Sequence, residues 1–193
     1  MMSEKAIVFG GVMVRAILEG RKSETRRIIK DPKKPRYEVG DVLWVREPLE
    51  GRLVGKGVSL TKPTPSEIAD PMFGTKVVAG YEADGRYCGN DKQDVDWRWQ
   101  RNRLPGIFMP KKCCRLWLRV IGRRMERLWM MGEHCAVREG FSERIAESEE
   151  YGWHTALDQF RDYWNGLYKK HAEWQWESNP LVWVYRFERV EKA

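Results

Sequence analysis

The side chains of this sequence that are best suited to chemistry lie together at residues 20–27 (GRKSETRR). Lys22 and Thr25 are three residues apart, and Arg26 and Arg27 follow directly. An ammonium, a hydroxyl and two guanidinium groups that share a turn would bind an anion or the edge of a nucleobase. The opposing interpretation is a solvated basic turn, because a motif this short often occurs by chance.

The helices and strands next to residues 20–27 must position the side chains of this segment. A helix is predicted over residues 12–19, because the apolar side chains there recur on one face. Gly20 is predicted to end it, since a residue without a Cβ adopts positive φ cheaply. A buried strand is predicted after the segment, at residues 42–45. Further strands are predicted at residues 6–9, 76–83, 115–121 and 181–190, and further helices at about residues 132–139, closed by Gly140, and at residues 151–168.

The order of these elements predicts an α+β fold. Short strands interleave with short helices, without the spacing of βαβ units. A small mixed β-barrel flanked by short helices is expected, because closure hides the edges of a sheet. Residues 49–75 are interrupted by glycine and proline and predict a loop. We therefore expect a single domain over residues 1–193, with a long middle insertion around residues 49–110 and one longer C-terminal helix.

Composition narrows the classes of partner. Lys and Arg outnumber Asp and Glu by 35 to 28, a net charge of +7, which favours nucleic acid. No run of about 18 apolar residues is present, so no membrane span is expected. The N-terminal residues do not resemble a signal peptide, which predicts a cytoplasmic protein. The four cysteines form no CxxC pair and the histidines are isolated, so no metal or other cofactor is predicted.

A second candidate binding segment lies at residues 96–103 (DWRWQRNR). Trp97 and Trp99 share one face of an extended chain, and Arg101 is among the arginines beside them. Rings in this arrangement stack bases while the arginines meet phosphates, as in single-strand-binding proteins. The alternative is that the two tryptophans pack as core over the insertion, and the sequence favours neither interpretation.

Gly20, Lys22, Thr25 and Arg27 have the spacing G-x-K-x-x-T-x-R. This pattern resembles the motif of ASCH-domain proteins, a branch of the PUA-like β-barrels. Three later stretches are similar to elements of that family and follow in its order, at residues 40–45 (GDVLWV), 135–141 (CAVREGF) and 182–187 (VWVYRF). The resemblance covers less than half of the chain, and its layout is similar to phage-encoded members. It implies a PUA-like barrel.

Most of the family carries glutamate where this chain has Thr25, whereas its small N4-acetylcytidine amidohydrolases carry threonine. The resemblance therefore implies a catalytic set of Lys22, Thr25 and Glu139. In that set Thr25 attacks an amide carbonyl and Lys22 accepts the hydroxyl proton, while Glu139 protonates the leaving amine. Lys22 would need a pKa lowered by burial or by nearby cations, which Arg26 and Arg27 supply.

Glu139 also has an unusual position for an anion. It ends the helix predicted over residues 132–139, where the helix macrodipole disfavours negative charge unless a cation such as Lys22 is near. A functional carboxylate is thus indicated independently of the resemblance.

Three functions stay open. The first is binding of RNA, a nucleotide or a modified nucleobase in a basic cleft, with ligand contacts from Gly20, Arg21, Arg26, Arg27, Trp97, Trp99 and Arg101. The second is an amidohydrolase that deacylates N4-acetylcytidine or a similar small amide. The third is a ribonuclease, which the lack of a histidine pair or carboxylate cluster disfavours. Each places the protein in the cytoplasm of a bacterium or of a phage-infected host.

Overall fold

The computed structural model describes residues 3–55, 75–86, 88–90, 93–142, 144–146 and 153–191, and it has an α+β fold. Its described helices are α1 (Gly11–Leu18), α2 (Glu133–Arg138) and α3 (Ala156–Leu167). Its described strands are β1 (Glu4–Val8), β2 (Glu24–Ile28), β3 (Val42–Arg46), β4 (Leu49–Gly55), β5 (Thr75–Tyr81), β6 (Gly89–Asn90), β7 (Gln93–Asp94), β8 (Arg103–Leu104), β9 (Trp117–Arg127), β10 (Arg144–Ala146), β11 (Trp153–Thr155) and β12 (Leu181–Val190). Among the described residues, no helix is long and apolar enough to cross a bilayer.

The largest sheet has five strands in the order β1-β3-β9-β12-β2. A three-stranded sheet has the order β5-β4-β8, and β6 with β7 and β10 with β11 form two-stranded pairs. In the described part of the chain, β1 and β2 are the edges of the five-stranded sheet. Closure into the predicted barrel therefore stays a prediction.

The chain divides into two compact units. The first comprises Met1–Lys5, Ala16–Leu43 and Leu118–Ala193, and the second comprises Ala6–Arg15 and Trp44–Trp117. The insertion predicted around residues 49–110 falls within the second unit. The expectation of a single domain over the whole chain stays a prediction.

The core of the first unit is aromatic and centres on α3. The helix begins at Ala156, after β11, rather than at residue 151 as predicted. Thr155 sets this start, because its hydroxyl accepts a hydrogen bond from the Asp158 backbone amide and forms a capping box with that residue. Buried side chains of α3 pack with β12 and α2 in one cluster: Leu128, Met131, Cys135, Ala136, Ala156, Phe160, Trp164, Val182 and Val184.

The second unit has its own core, built on β4 and β5. These strands pair antiparallel from Leu49 opposite Tyr81 to Gly55 opposite Thr75. The loop predicted for residues 49–75 is therefore wrong for Leu49–Gly55, where the buried Leu49 and Leu53 anchor a strand in spite of the glycines. Residues 56–74 lie outside the described residues.

Candidate functional site

The segment at residues 20–27 is half turn and half strand. Gly20 has φ +76° and ends the first helix, as predicted. The amides of Arg21 and Lys22 both donate to the Ala16 carbonyl, at 2.9 and 3.0 Å, and close the turn. From Glu24 onward the chain is β2, so the prediction of a turn is wrong for the second half of the segment. The cause is the pairing of β2 with β12, which the local sequence does not reveal.

Strand β2 presents different chemistry on its two faces. It pairs antiparallel with β12, with Thr25 opposite Tyr185 and Arg27 opposite Trp183. Side chains alternate along a strand, so Thr25 and Arg27 lie on one face. Glu24 and Arg26 lie on the other.

On the Arg26 face, Lys22 and Glu139 meet in a buried ion pair. The distance from Lys22 Nζ to Glu139 Oε2 is 2.5 Å, with side-chain exposures of 1% and 5%. Lys22 Nζ also donates to the backbone carbonyls of Glu139 and Glu24, at 2.7 and 2.9 Å. Arg26 Nη1 reaches the second oxygen of Glu139 at 3.3 Å, so two buried cations share this carboxylate.

The ion pair belongs to a larger network. Arg26 donates from Nε and Nη2 to Glu126 Oε1, at 3.0 and 2.7 Å. Arg124 bridges Glu126, at 2.8 Å, and Glu24, at 3.4 Å. Arg138 also lies 3.1 Å from Glu24. These contacts bind β2, β9 and α2 together, and they satisfy the buried charges that β2 carries.

Glu139 and Gly140 close the helix α2, as the sequence predicts. Glu139 is the C-cap residue, and Gly140 follows with φ +103°. The carboxylate therefore lies at the negative end of a helix, where Lys22 and Arg26 offset the unfavourable charge.

Burial dominates the protonation chemistry of this network. It lowers the pKa of Lys22 below the ordinary value of 10.5, although Glu139 opposes the shift. Burial alone would raise the pKa of Glu24, but Arg124, Arg138 and Arg26 outweigh it and lower the pKa. The pKa of Lys22 is thus lowered by burial, while its ammonium is held against the Glu139 carboxylate.

Thr25 is a buried residue of β2. Its hydroxyl accepts a hydrogen bond from Arg27 Nη1 at 2.9 Å, and the residue is 1% exposed. Of the three residues in the implied catalytic set, the structure brings Lys22 and Glu139 together and leaves Thr25 with Arg27.

A cavity of about 380 Å³ opens beside Arg27. Four cationic side chains, one carboxylate and four aromatic rings contribute to its lining: Arg27, Lys30, Lys34, Arg36, Asp31, Tyr168, Trp174, Trp183 and Tyr185. We call it the β2 pocket. Lys30, Lys34 and Arg36 are exposed, and among the described residues none of these three forms an ion pair.

The aromatic side of the β2 pocket is held in place by its own contacts. Trp174 is stacked on one side by His171, with ring centroids 4.2 Å apart. Its backbone carbonyl accepts the Trp164 indole N–H at 2.7 Å. Tyr185 lies edge-on to Tyr37 at 5.0 Å, and its hydroxyl accepts the Arg36 amide at 3.1 Å. The pocket thus combines rings that are held by their own contacts with exposed cationic side chains.

The other predicted ligand residues lie away from this pocket lining. Gly20 forms the turn, and Arg21 donates to the Gly140 carbonyl and to Glu19. Arg26 is 1% exposed within the ion network.

Trp97 and Trp99 lie in the second unit. Trp97 is 8% exposed in the core, with its ring edge-on to Trp99 at 4.8 Å. Its indole N–H donates to the Arg101 carbonyl at 3.1 Å. This packing favours the alternative in which the pair is core, because a buried ring offers no face to a base.

The local sequence does not reveal the β2 pocket, because the residues that line it are distant in sequence. Residues 31–35 have the polar, proline-broken pattern of a loop, and the sequence around Trp174 gives no sign that this ring meets it. The one available signal was the basic character of that loop directly after the basic segment. Within the described residues, no group of three or more His, Cys, Asp or Glu side chains is arranged to hold a metal ion.

No protein-family model, curated protein or solved structure matches the chain. The ASCH-domain resemblance therefore stays a prediction from the motifs quoted above.

Proposed function

We propose that this protein binds single-stranded RNA or a nucleotide in the β2 pocket. The observation that carries the proposal is the group of three cations, Lys30, Lys34 and Arg36, that line the pocket without an ion pair among the described residues. By contrast, the buried cations on the other face of β2 are matched by carboxylates. Unmatched cations at a cavity attract an anionic ligand.

The aromatic rings specify which anion fits. Trp174, which is half-buried, offers a π-surface on which a base stacks, and Lys30, Lys34 and Arg36 are suited to phosphates. A cavity of about 380 Å³ lies within the usual range of ligand pockets, roughly 300–1,000 Å³. Rings beside cations are the pattern of single-strand recognition, in which stacking and phosphate contacts act together.

The predicted membership of the ASCH branch of PUA-like proteins supports the same proposal. The family motif in this chain runs into β2 and ends at Arg27, which lines the pocket. The proposed fold is accordingly a PUA-like barrel, and the proposed ligand is RNA, a nucleotide or a modified nucleobase.

The test compares two neighbouring lysines of one loop. Lys34 lines the β2 pocket, whereas Lys33 is equally exposed and does not. Affinity for a fluorescently labelled single-stranded RNA hexamer is measured by anisotropy at several salt concentrations. Lys34→Ala should weaken binding severalfold and reduce the salt dependence by about one phosphate contact, and Lys33→Ala should change affinity little.

Two results would contradict the proposal. One is no binding by the intact protein at low salt. The other is an equal loss in Lys34→Ala and Lys33→Ala, which would indicate nonspecific attraction by net charge rather than a pocket.

An amidohydrolase is the second candidate, and the Lys22–Glu139 pair favours it. A buried lysine with a lowered pKa beside a carboxylate is a plausible acid–base pair. The proposed substrate is N4-acetylcytidine or a similar small amide. Hydrolysis requires the Thr25 hydroxyl to lie within hydrogen-bonding reach of Lys22 Nζ, a requirement that simple binding does not have. Release of acetate by the purified protein, lost in Thr25→Ala, would support this candidate, and absence of turnover would exclude it.

A further inference from the structure

Asp31 is the single carboxylate among the residues that line the β2 pocket. Its Oδ1 accepts the Lys33 backbone amide at 2.9 Å, and its carbonyl accepts the Lys34 amide at 3.1 Å. These bonds fix the carboxylate in a local turn. Among the described residues, Oδ2 accepts no hydrogen bond, which leaves it available to a ligand.

A carboxylate in this position is unfavourable for phosphate binding alone. It repels a phosphate and offsets one of the four cations of the pocket. Its chemistry suits an N–H donor, because an ionised carboxylate only accepts hydrogen bonds. The N–H donors of a nucleic acid belong to the bases, whereas phosphates are acceptors.

We infer that Asp31 makes the β2 pocket selective for bases that carry an exocyclic amino group, as cytosine and adenine do, over bases with an oxo group in that place, as uracil has. The inference rests on the proposed function, which it refines from binding to base selection. An amino group donates to Oδ2 of Asp31, while a carbonyl oxygen in the same place meets a negative charge. Carboxylates make this contact with the amino group of cytosine in direct base recognition.

Asp31→Asn separates this role from the role of Asp31 in the turn. The asparagine side-chain carbonyl still accepts the Lys33 amide, so the turn is retained. The second oxygen is replaced by an NH₂ group, which repels an amino group and donates a hydrogen bond to a carbonyl oxygen. The substitution should therefore reverse the preference without unfolding the loop.

The experiment compares RNA hexamers of cytidine and of uridine by fluorescence anisotropy. The wild-type protein should bind the cytidine hexamer at least about fivefold more tightly, the lower limit for a good base contact. In Asp31→Asn the ratio should fall to about one or below, because the contact with the cytosine amino group is lost and the uracil carbonyl no longer meets a negative charge. Asp162→Asn removes an exposed carboxylate of α3 outside the pocket lining and should leave the ratio unchanged.

The outcomes separate the two proposals. Binding of both hexamers with the same ratio in the wild type and in Asp31→Asn overturns base selection by Asp31 and leaves the RNA site intact. A similar fall of the ratio in Asp162→Asn also overturns it, because net charge would then explain the effect. Failure of the wild-type protein to bind either hexamer overturns the proposed function itself, and base selection with it.

Discussion

The ammonium of Lys22 and the carboxylate of Glu139 lie 2.5 Å apart, although 117 residues separate them in the chain. The pair joins the turn after α1 to the end of α2, and Arg26 completes it from β2. Two charges that are withdrawn from water are stable only when each is matched. The pair therefore fixes how these three elements meet more than it adds net stability.

Glu139→Gln should lower the free energy of unfolding by about 3–5 kcal/mol, because it leaves two buried cations without this partner. Urea denaturation at neutral pH measures the effect. Glu188→Gln is the matched control, since its carboxylate is 51% exposed and 3.7 Å from Arg119. The control should cost about 1 kcal/mol or less. Equal costs for the two variants would contradict the interpretation of a buried network.

Substitutions of Gly140 and Gly20 test the two helix ends that flank the Lys22–Glu139 pair. Both have positive φ, but only at Gly140 would a Cβ collide, at 2.7 Å from Ala16 Cβ and 3.1 Å from Lys22 Cβ. Gly20→Ala should cost about 1–2 kcal/mol, from the left-handed backbone alone. Gly140→Ala should cost about 1–3 kcal/mol more than Gly20→Ala, because the added Cβ overpacks the site. Thermal unfolding compares them, and a smaller loss at Gly140 would contradict the packing described.

Regular periodicity made part of the fold predictable. The helix before Gly20 follows from its apolar face, and β12 begins and ends at the predicted residues, 181 and 190. The helix end at Gly140 follows from glycine chemistry. In each case the residues that decide the structure are neighbours in sequence.

The rest depends on pairings over long distances. Strand β2 is polar, and its buried Arg26 is stabilised by Glu126 and Glu139, which lie 100 and 113 residues away. The glycines at residues 51 and 55 obscure the sequence pattern of strand β4, and its partner β5 is separated from it by a long stretch of sequence. The β2 pocket joins a basic loop to Trp174 and Trp183. Local patterns carry little information about such long-range contacts, so the Lys22–Glu139 pair is predicted only from the family resemblance and from the position of Glu139 at a helix end.

Trp174 should be the main stacking surface of the β2 pocket. Trp174→Ala should weaken single-stranded RNA binding by about 5- to 150-fold, which corresponds to roughly 1–3 kcal/mol for one stacked base. Trp174→Phe keeps a ring and should recover much of the affinity. Trp129→Ala removes an exposed indole outside the pocket lining and should have little effect. Circular dichroism confirms that each variant is folded. Loss of affinity in Trp129→Ala but not in Trp174→Ala would contradict this assignment.

Asp41 should make the free energy of unfolding decrease at acid pH. Burial alone would raise its pKa, but the Glu38 amide, Lys5 and Ser3 outweigh burial and lower the pKa below the ordinary 3.8. A carboxyl with a lowered pKa stabilises the fold above its ordinary pKa and loses this effect as the pH falls through the folded value.

Asp41→Asn should therefore cost about 1–3 kcal/mol at pH 7, and the difference from the wild type should shrink as the pH falls below 3.8. Urea unfolding curves of the wild type and of Asp41→Asn, recorded at pH 7 and below pH 3.8, measure this difference in the free energy of unfolding. A difference that is the same at acid and neutral pH would show that the carboxylate charge is not what stabilises the site.

The two faces of β2 also bear on how such a protein can diversify. The buried ion network occupies one face, while the pocket cations follow the strand in one short loop, at residues 30–36. Substitutions in that loop can alter ligand preference without disturbing the matched charges that hold β2 to its neighbours. A change in the proposed ligand specificity would thus leave the folded framework intact.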